Sequence, residues 1–160
     1  MIRRKPSPIE LEELRSIASL QFRGYGREII PDNIEIVLSP KTFKIRYLVL
    51  NNEVYLSIRA SDYRFLLHIP SGLVLNNKLP HPYLRVYVNS KYSSYVKKQG
   101  NLFTKHVVVS DPDIRPGDEV LIVDIDNYDL IGVGRAVKPG WAMPLHNWGE
   151  AVRIRERVSG

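Results

Sequence analysis

Lys97-Lys98-Gln99-Gly100-Asn101-Leu102-Phe103-Thr104-Lys105-His106-Val107-Val108 is the stretch on which the fold of this chain turns. Its two lysines suit the last turn of a helix, where a cation meets the negative end of the backbone dipole. Gly100 stops that helix and lets the backbone turn tightly. The run from Phe103 to Val109 is rich in aromatic and β-branched residues and predicts a strand. Helix, glycine turn and strand follow one another, with Lys97, Lys98 and Lys105 on either side of the turn.

Working outward, Leu84 to Val88 alternates as a strand and Ser90 to Lys98 reads as the helix that Gly100 ends. After the quoted stretch, Pro116-Gly117 is a turn with proline then glycine, as type II prefers. Glu119 to Ile125 reads as an apolar strand, Asp126-Asn127 as a turn and Leu130 to Val137 as its hairpin partner. Trp141 to Asn147 is short and helical in character. Ala151 to Val158 closes the chain as a strand in which apolar residues alternate with Arg153, Arg155 and Arg157. Five short strands in roughly 75 residues predict a small closed barrel, because closure removes exposed edges.

The first half is mixed. Ser7, Pro8 and Glu10 make a capping box with proline at the first helical position. Leu11, Leu14, Ile17 and Ala18 then recur at helical spacing until Gly24 and Gly26. Ile34 to Leu38, Ile45 to Leu50 and Val54 to Ile58 read as strands, with Asn51-Asn52 as a tight hairpin turn. Ser61 to Ile69 fits strand or helix, and Pro70-Ser71-Gly72 ends it. Asn76-Asn77-Lys78-Leu79-Pro80-His81-Pro82 has turn chemistry and two prolines, so it is the expected linker. The reading is an α+β N-terminal domain over 1–82, followed by a small mixed β-barrel with one or two short helices over 83–160.

The chain has 160 residues, a formal charge of +6 and no cysteine. Disulfides and cysteine-bound zinc or iron–sulfur centres are excluded. No apolar run approaches the ~18 residues that span a bilayer, and the basic start leads into a polar helix rather than a signal region; the expected location is cytoplasmic, away from membranes. The positive balance favours polyanionic partners. From Leu84 to Ser110 the charged residues are all basic (Arg85, Lys91, Lys97, Lys98, Lys105). Asp111 to Asp129 holds seven acids against Arg115, and Arg135 to Lys138, then Arg153, Arg155 and Arg157, are basic again. The acidic segment reads as a repulsive or partner-docking face.

The quoted stretch resembles the first helix, glycine loop and second strand of a PUA domain. With Asp111-Pro112-Asp113-Ile114-Arg115-Pro116-Gly117-Asp118-Glu119-Val120 and Gly132-Val133-Gly134-Arg135-Ala136 it resembles the PUA domain ending archaeosine tRNA-guanine transglycosylase. Leu14 to Phe22, Ile45-Arg46-Tyr47 and Leu56-Ser57-Ile58-Arg59 more loosely resemble the domain that precedes PUA in that enzyme. The chain thus resembles the enzyme's tRNA-gripping end without its catalytic barrel, which needs about 250 residues. The family's zinc cysteines and catalytic aspartates have no counterpart, so no catalytic residue, metal or cofactor is expected.

The resemblance implies tRNA binding, at the acceptor stem and 3′ end, through Lys97, Lys98, Gly100, Asn101, Lys105, His106, Arg135, Lys138, Arg153 and Arg155. Physically, the lysines offer charge, Gly100 lets the backbone approach a sugar-phosphate chain, and N–H groups near Asn101 can donate to phosphate or a base edge. Phe103 and Val107 read as core rather than stacking platform, and Trp141 and Trp148 as packed on the barrel, with stacking of one of them on a terminal base as the alternative. Gly132 and Gly134 lack the following helix of a dinucleotide site and read as close packing. His68, His81, His106 and His146 show no metal-ligand spacing. The expected function is non-catalytic: an accessory or separate subunit gripping tRNA beside a catalytic transglycosylase subunit. The alternative is a PUA factor in ribosome biogenesis or translation initiation. A self-contained nuclease or transferase finds no paired carboxylates or Ser/His arrangement in the sequence.

Overall fold

The computed structural model describes every residue except Gln99 and Gly160, and only the backbone of Lys97 and Lys98. The chain divides into two compact units, Met1–Lys78 and Leu79–Gly160.

In the first unit a five-stranded antiparallel sheet runs in the order β1 (Ile2–Arg4), β2 (Glu35–Leu38), β3 (Ile45–Leu50), β4 (Glu53–Ile58) and β5 (Phe65–Leu67). Helix α1 (Pro8–Gln21) starts on the capping box: Ser7 Oγ accepts the Glu10 N–H at 3.2 Å, and Glu10 Oε1 accepts the Ser7 N–H at 2.8 Å. Leu14 and Ala18 of α1 and Phe22 beyond it are buried, and with Ile36, Leu48, Leu56 and Phe65 they form the core. Asn51 and Asn52 both take positive φ, as a tight hairpin turn requires.

Three elements here depart from the sequence expectation. Strand β1 and the short helix α2 (Gly26–Ile29) are additions, both shorter than the windows over which periodicity is legible. Pro70-Ser71-Gly72 opens a helix, α3 (Ile69–Lys78), rather than ending an element. Proline needs no donor in a first turn, and Ser71 Oγ accepts the His68 N–H at 3.0 Å. Asn76 to Lys78 are therefore the end of α3 rather than linker.

The second unit is a six-stranded mixed sheet, nearly closed, in the order β7 (Leu102–Phe103), β11 (Glu150–Arg157), β10 (Leu130–Ala136), β9 (Glu119–Asp124), β6 (Arg85–Val88) and β8 (Val107–Ser110). Among the described residues, only β6 and β9 pair in parallel. Helix α4 (Ser90–Lys98) crosses between β6 and β7. The single strand expected over Phe103 to Val109 is two: β7 pairs with β11 and β8 with β6, joined by a 3-10 turn at Thr104–His106. One straight strand cannot serve both edges of a sheet that curls on itself.

Strands β9 and β10 are buried almost throughout. At Gly134 a Cβ would lie 2.1 Å from the Arg153 carbonyl oxygen, so glycine is what lets β10 and β11 approach. The ladder slips between Val133 and Gly134, which leaves Arg155 as the extra residue on β11.

Four of the seven acids in the acidic segment do not add to a surface face. Asp111, Asp118, Glu119 and Asp124 are buried and serve the backbone or neighbouring side chains. Asp111 accepts the Leu84 N–H at 2.9 Å, and Asp118 accepts the Arg115 N–H at 2.8 Å. Asp124 accepts the Ser90 and Ser93 hydroxyls at 2.6 and 2.7 Å, tying the start of α4 to β9. Burial works to raise the Asp124 pKa, but those hydroxyls and the N–H groups of Asp126 and Asn127 outweigh it and hold the carboxyl below its ordinary value. Arg85, counted above with the basic surface, is fully buried, its guanidinium donating to the Leu79 and Pro80 carbonyls at 3.0 and 3.2 Å.

Candidate nucleic-acid interface

Helix α4, the β7-to-turn segment and residues 147–149 enclose a pocket of about 540 Å³. Its walls are Tyr92 and Tyr95 from α4, Phe103, Lys105 and His106, then Asn147, Trp148 and Gly149. The His106 ring lies 4.2 Å from that of Tyr92, tilted by 38°, and 6.1 Å from that of Tyr95. His106 Nδ1 is buried without a hydrogen-bond partner among the described residues. Burial, with Lys105 beside it, pushes the His106 pKa below its ordinary value, so the ring is neutral near pH 7.

Trp148 stands at the rim, 70% exposed, and Phe103 is 38% exposed. Phe103 is not core, contrary to the sequence reading, whereas Val107 is buried as expected; Trp141, at 61%, and Trp148 are exposed, as a ring that stacks on a base would be. Lys138 Nζ lies 4.2 Å from the Trp148 ring centre and donates to the Trp148 carbonyl at 2.9 Å. The His146 ring stacks with Trp148, centres 5.9 Å apart and within 9° of parallel. Thr104 fastens the rim to the turn, its hydroxyl donating to Trp148 O at 2.8 Å and its N–H to Gly149 O at 2.9 Å.

The glycine loop is braced from behind. Gly100 takes φ +75°, and its carbonyl accepts from Arg157, whose Nε also donates to Val96 O at 3.1 Å. Val96 lies in the last turn of α4 and Gly100 just beyond it, so Arg157 ties the end of the helix to the loop. Asn101 points inward: Nδ2 donates to Glu150 at 3.2 Å and Oδ1 accepts the Ile154 N–H at 3.1 Å.

The structure therefore sets Lys105 and His106 in the pocket wall and Lys138 against its rim residue Trp148, with Gly100 and Asn101 in the braced loop. Lys97 and Lys98 end α4, and their side chains lie outside the described residues. Arg135 on β10 stands opposite Arg153 and Glu119 in register. Arg153 is exposed and pairs with Glu150 at 3.3 Å, whereas Arg155 sets both guanidinium nitrogens on buried Glu119. Sequence reasoning missed Tyr92, Tyr95 and Asn147; the helical spacing of the two tyrosines, three apart on α4, was the available signal. It also missed that Ser57 and His68 meet, Oγ to Nε2 at 2.6 Å, but neither lines a pocket described here.

Known proteins agree with this architecture. Residues 12–82 match the patch-forming domain C2 of tRNA-guanine transglycosylase, and residues 84–158 match the PUA domain. The tRNA-guanine(15) transglycosylase of Methanothermobacter thermautotrophicus is 32% identical over 92% of this chain, and that of Pyrococcus furiosus 36% identical over 91%. The chain spans only 22 and 24% of their lengths. Among solved structures, a conserved PUA domain protein from Thermoplasma acidophilum superposes with a TM-score of 0.68 at 20% identity, covering 98% of this chain and 93% of that one. A hypothetical protein of Pyrococcus horikoshii gives 0.75 at 18% identity, covering 98 and 94%. With both halves matched in order, the chain is a PUA-domain protein whose two units resemble the C-terminal, patch-forming and PUA, part of the archaeal tRNA-guanine transglycosylases.

Proposed function

We propose that this chain is a non-catalytic RNA-binding protein that grips tRNA at the acceptor stem and 3′ end, serving tRNA modification as a separate subunit beside a transglycosylase. The observation that carries this reading is the second unit's pocket. Exposed aromatic faces (Tyr95, Phe103, Trp148) stand beside Lys105 and Lys138, and no carboxylate is among the residues that line it. Bases stack on such rings whatever their sequence, each contributing ~1–3 kcal/mol, while cations track the phosphates. A duplex stem offers shape and phosphate; its unpaired 3′ end offers bases free to enter the pocket. The relatives' remaining length is where a catalytic barrel belongs, and a partner polypeptide supplies it in this reading.

The RNA-binding set is Lys97, Lys98, Gly100, Lys105, His106, Lys138, Arg135 and Arg153, with Asn101 and Arg155 holding the loop and strand that present them. The test is equilibrium binding of intact tRNA, of the same tRNA trimmed of its unpaired 3′ nucleotides, and of ribosomal RNA fragments. Intact tRNA is expected to bind tightest and trimming to cost affinity. Equal binding after trimming overturns the 3′-end assignment, and preference for ribosomal RNA moves the chain to ribosome assembly.

A further inference from the structure

The first unit carries its own concavity, about 210 Å³, between α1 and two hairpin turns. Leu14, Ile17, Ile45, Ile58 and Phe65 give it an apolar lining, and Phe43 and Tyr63 belong to the turns. The turns are built alike. The Phe43 N–H donates to Ser39 O at 2.8 Å and the Tyr63 N–H to Arg59 O at 2.9 Å, and both residues take left-handed backbone, φ +56° and +59°. Glycine or asparagine would adopt that backbone at lower cost. A third turn of the same build, Asp124 to Asp129, places Tyr128 at φ +63°. There the ring has a structural reason, since it lies 4.4 Å from His81 and 5.8 Å from Tyr87. Phe43 stays 66% exposed and Tyr63 47%.

The charges at this groove are arranged across it. On the turn side, Lys44 Nζ donates to the Tyr63 hydroxyl at 2.8 Å and lies 5.5 Å from its ring centre. On the helix side, Glu10 is taken up by Arg4 and Ser7, whereas Glu13 is exposed and makes no hydrogen bond or ion pair among the described residues. An aliphatic side chain from a partner protein would fill the floor and leave both Lys44 and Glu13 unanswered. A nucleotide answers all three features: a flat ring for Phe43 and Tyr63, an N–H edge for a carboxylate, and a phosphate for a lysine.

We propose that this groove holds one unstacked nucleobase of a single-stranded RNA segment, the ring between the two turn aromatics and α1, its N–H edge toward Glu13 and its phosphate toward Lys44. The assignment rests on the RNA-binding reading but lies on the other unit, so the two fail separately.

The experiment is photo-cross-linking of the full chain to a short single-stranded oligoribonucleotide carrying 4-thiouridine, with mapping of the modified peptides. Cross-links are expected on the segments holding Phe43 and Tyr63 as well as on the second unit. Replacing both rings (Phe43→Gly, Tyr63→Gly) relieves the left-handed backbone, so the Tm holds or rises while the first-unit cross-links fall about tenfold. Glu13→Gln keeps a hydrogen-bonding edge and is expected to retain most of them. Cross-links confined to the second unit, or first-unit cross-links that survive the double glycine variant, overturn the groove assignment, and the former outcome marks the turns as a protein-contact surface. Loss of all cross-linking in the unaltered chain overturns the RNA-binding reading as well.

Discussion

Arg155 and Glu119 form a two-pronged ion pair across the barrel, Nη2 to Oε2 at 2.9 Å with Nη1 on Oε1, and the Glu119 side chain is only 3% exposed. Two residues earlier, Arg153 reaches into solvent, 60% exposed. Identical residue types at strand spacing thus do different work: one neutralises a carboxylate inside the barrel, the other adds charge to its surface. Removing Arg155 takes from the buried Glu119 carboxylate this two-pronged partner.

Arg155→Ala is accordingly expected to lower stability by about 2 kcal/mol, less than a fully buried pair because the guanidinium is partly solvated. Arg153→Ala is expected to change it by less than about 0.5 kcal/mol while weakening RNA binding. Urea unfolding of both variants beside RNA titration separates the roles. Equal losses of stability would place both arginines in the scaffold.

The same contrast explains what the sequence could and could not disclose. Most strand and turn positions in both units were legible because β-branched runs and paired turn residues, such as Asn51-Asn52 in the first unit, are local signals. The acidic run Asp111 to Asp129 misled because charge is counted along the chain, whereas Asp111 answers Leu84 and Asp124 answers Ser90 and Ser93, far away in sequence. Arg85 misled for the same reason: a basic residue on a strand looks exposed until the carbonyls that bury it are known. The pocket was half visible. Lys105 and His106 lie in the family-like stretch, but Trp148 is joined to them by contacts distant in sequence, such as the Thr104 hydroxyl that donates to its carbonyl from 44 residues away.

Acid sensitivity in the first unit traces to α1. The Arg4 guanidinium and the Ser7 N–H hold the Glu10 carboxyl at a pKa of about 2, against an ordinary value of 4.5. A carboxyl depressed on folding stabilises fully above its unfolded value and loses that contribution as pH falls toward its folded one. Tm is therefore expected to fall between about pH 4.5 and 2, and Glu10→Gln to flatten that slope. Ser7→Ala removes the reciprocal half of the capping box and is expected to cost about 1 kcal/mol at neutral pH, read by thermal unfolding.

His106 gives a pH signature on the other unit. Its pKa is lowered by burial and by Lys105, so the neutral ring is the folded form. The sign is that of a depressed group: its contribution to stability is complete above the ordinary histidine value near 6.5 and fades as pH falls below it. A proton-exchange titration followed by NMR is expected to place the His106 midpoint below 6.5 in the free protein. Bound RNA brings phosphate near, favours the charged ring and is expected to move the midpoint up. An unmoved midpoint at saturating RNA removes His106 from the interface.

Lys138 decides whether the rim acts as a unit. Its ammonium holds Trp148 twice, through the ring face and through the carbonyl, and it also meets His146 Nδ1 at 3.2 Å. Lys138→Gln keeps a donor of similar reach while removing the charge, so it is expected to lose one phosphate contact and to reduce the salt slope of binding by about 0.7 for a single-stranded segment. Trp148→Ala is expected to leave that slope unchanged and to cost about 1–3 kcal/mol of affinity, since it deletes a stacking face and no charge. Measuring affinity against salt for each variant distinguishes the two contributions. If Trp148→Ala instead changes the slope as Lys138→Gln does, the tryptophan works by placing the lysine, and the pocket binds through charge rather than stacking.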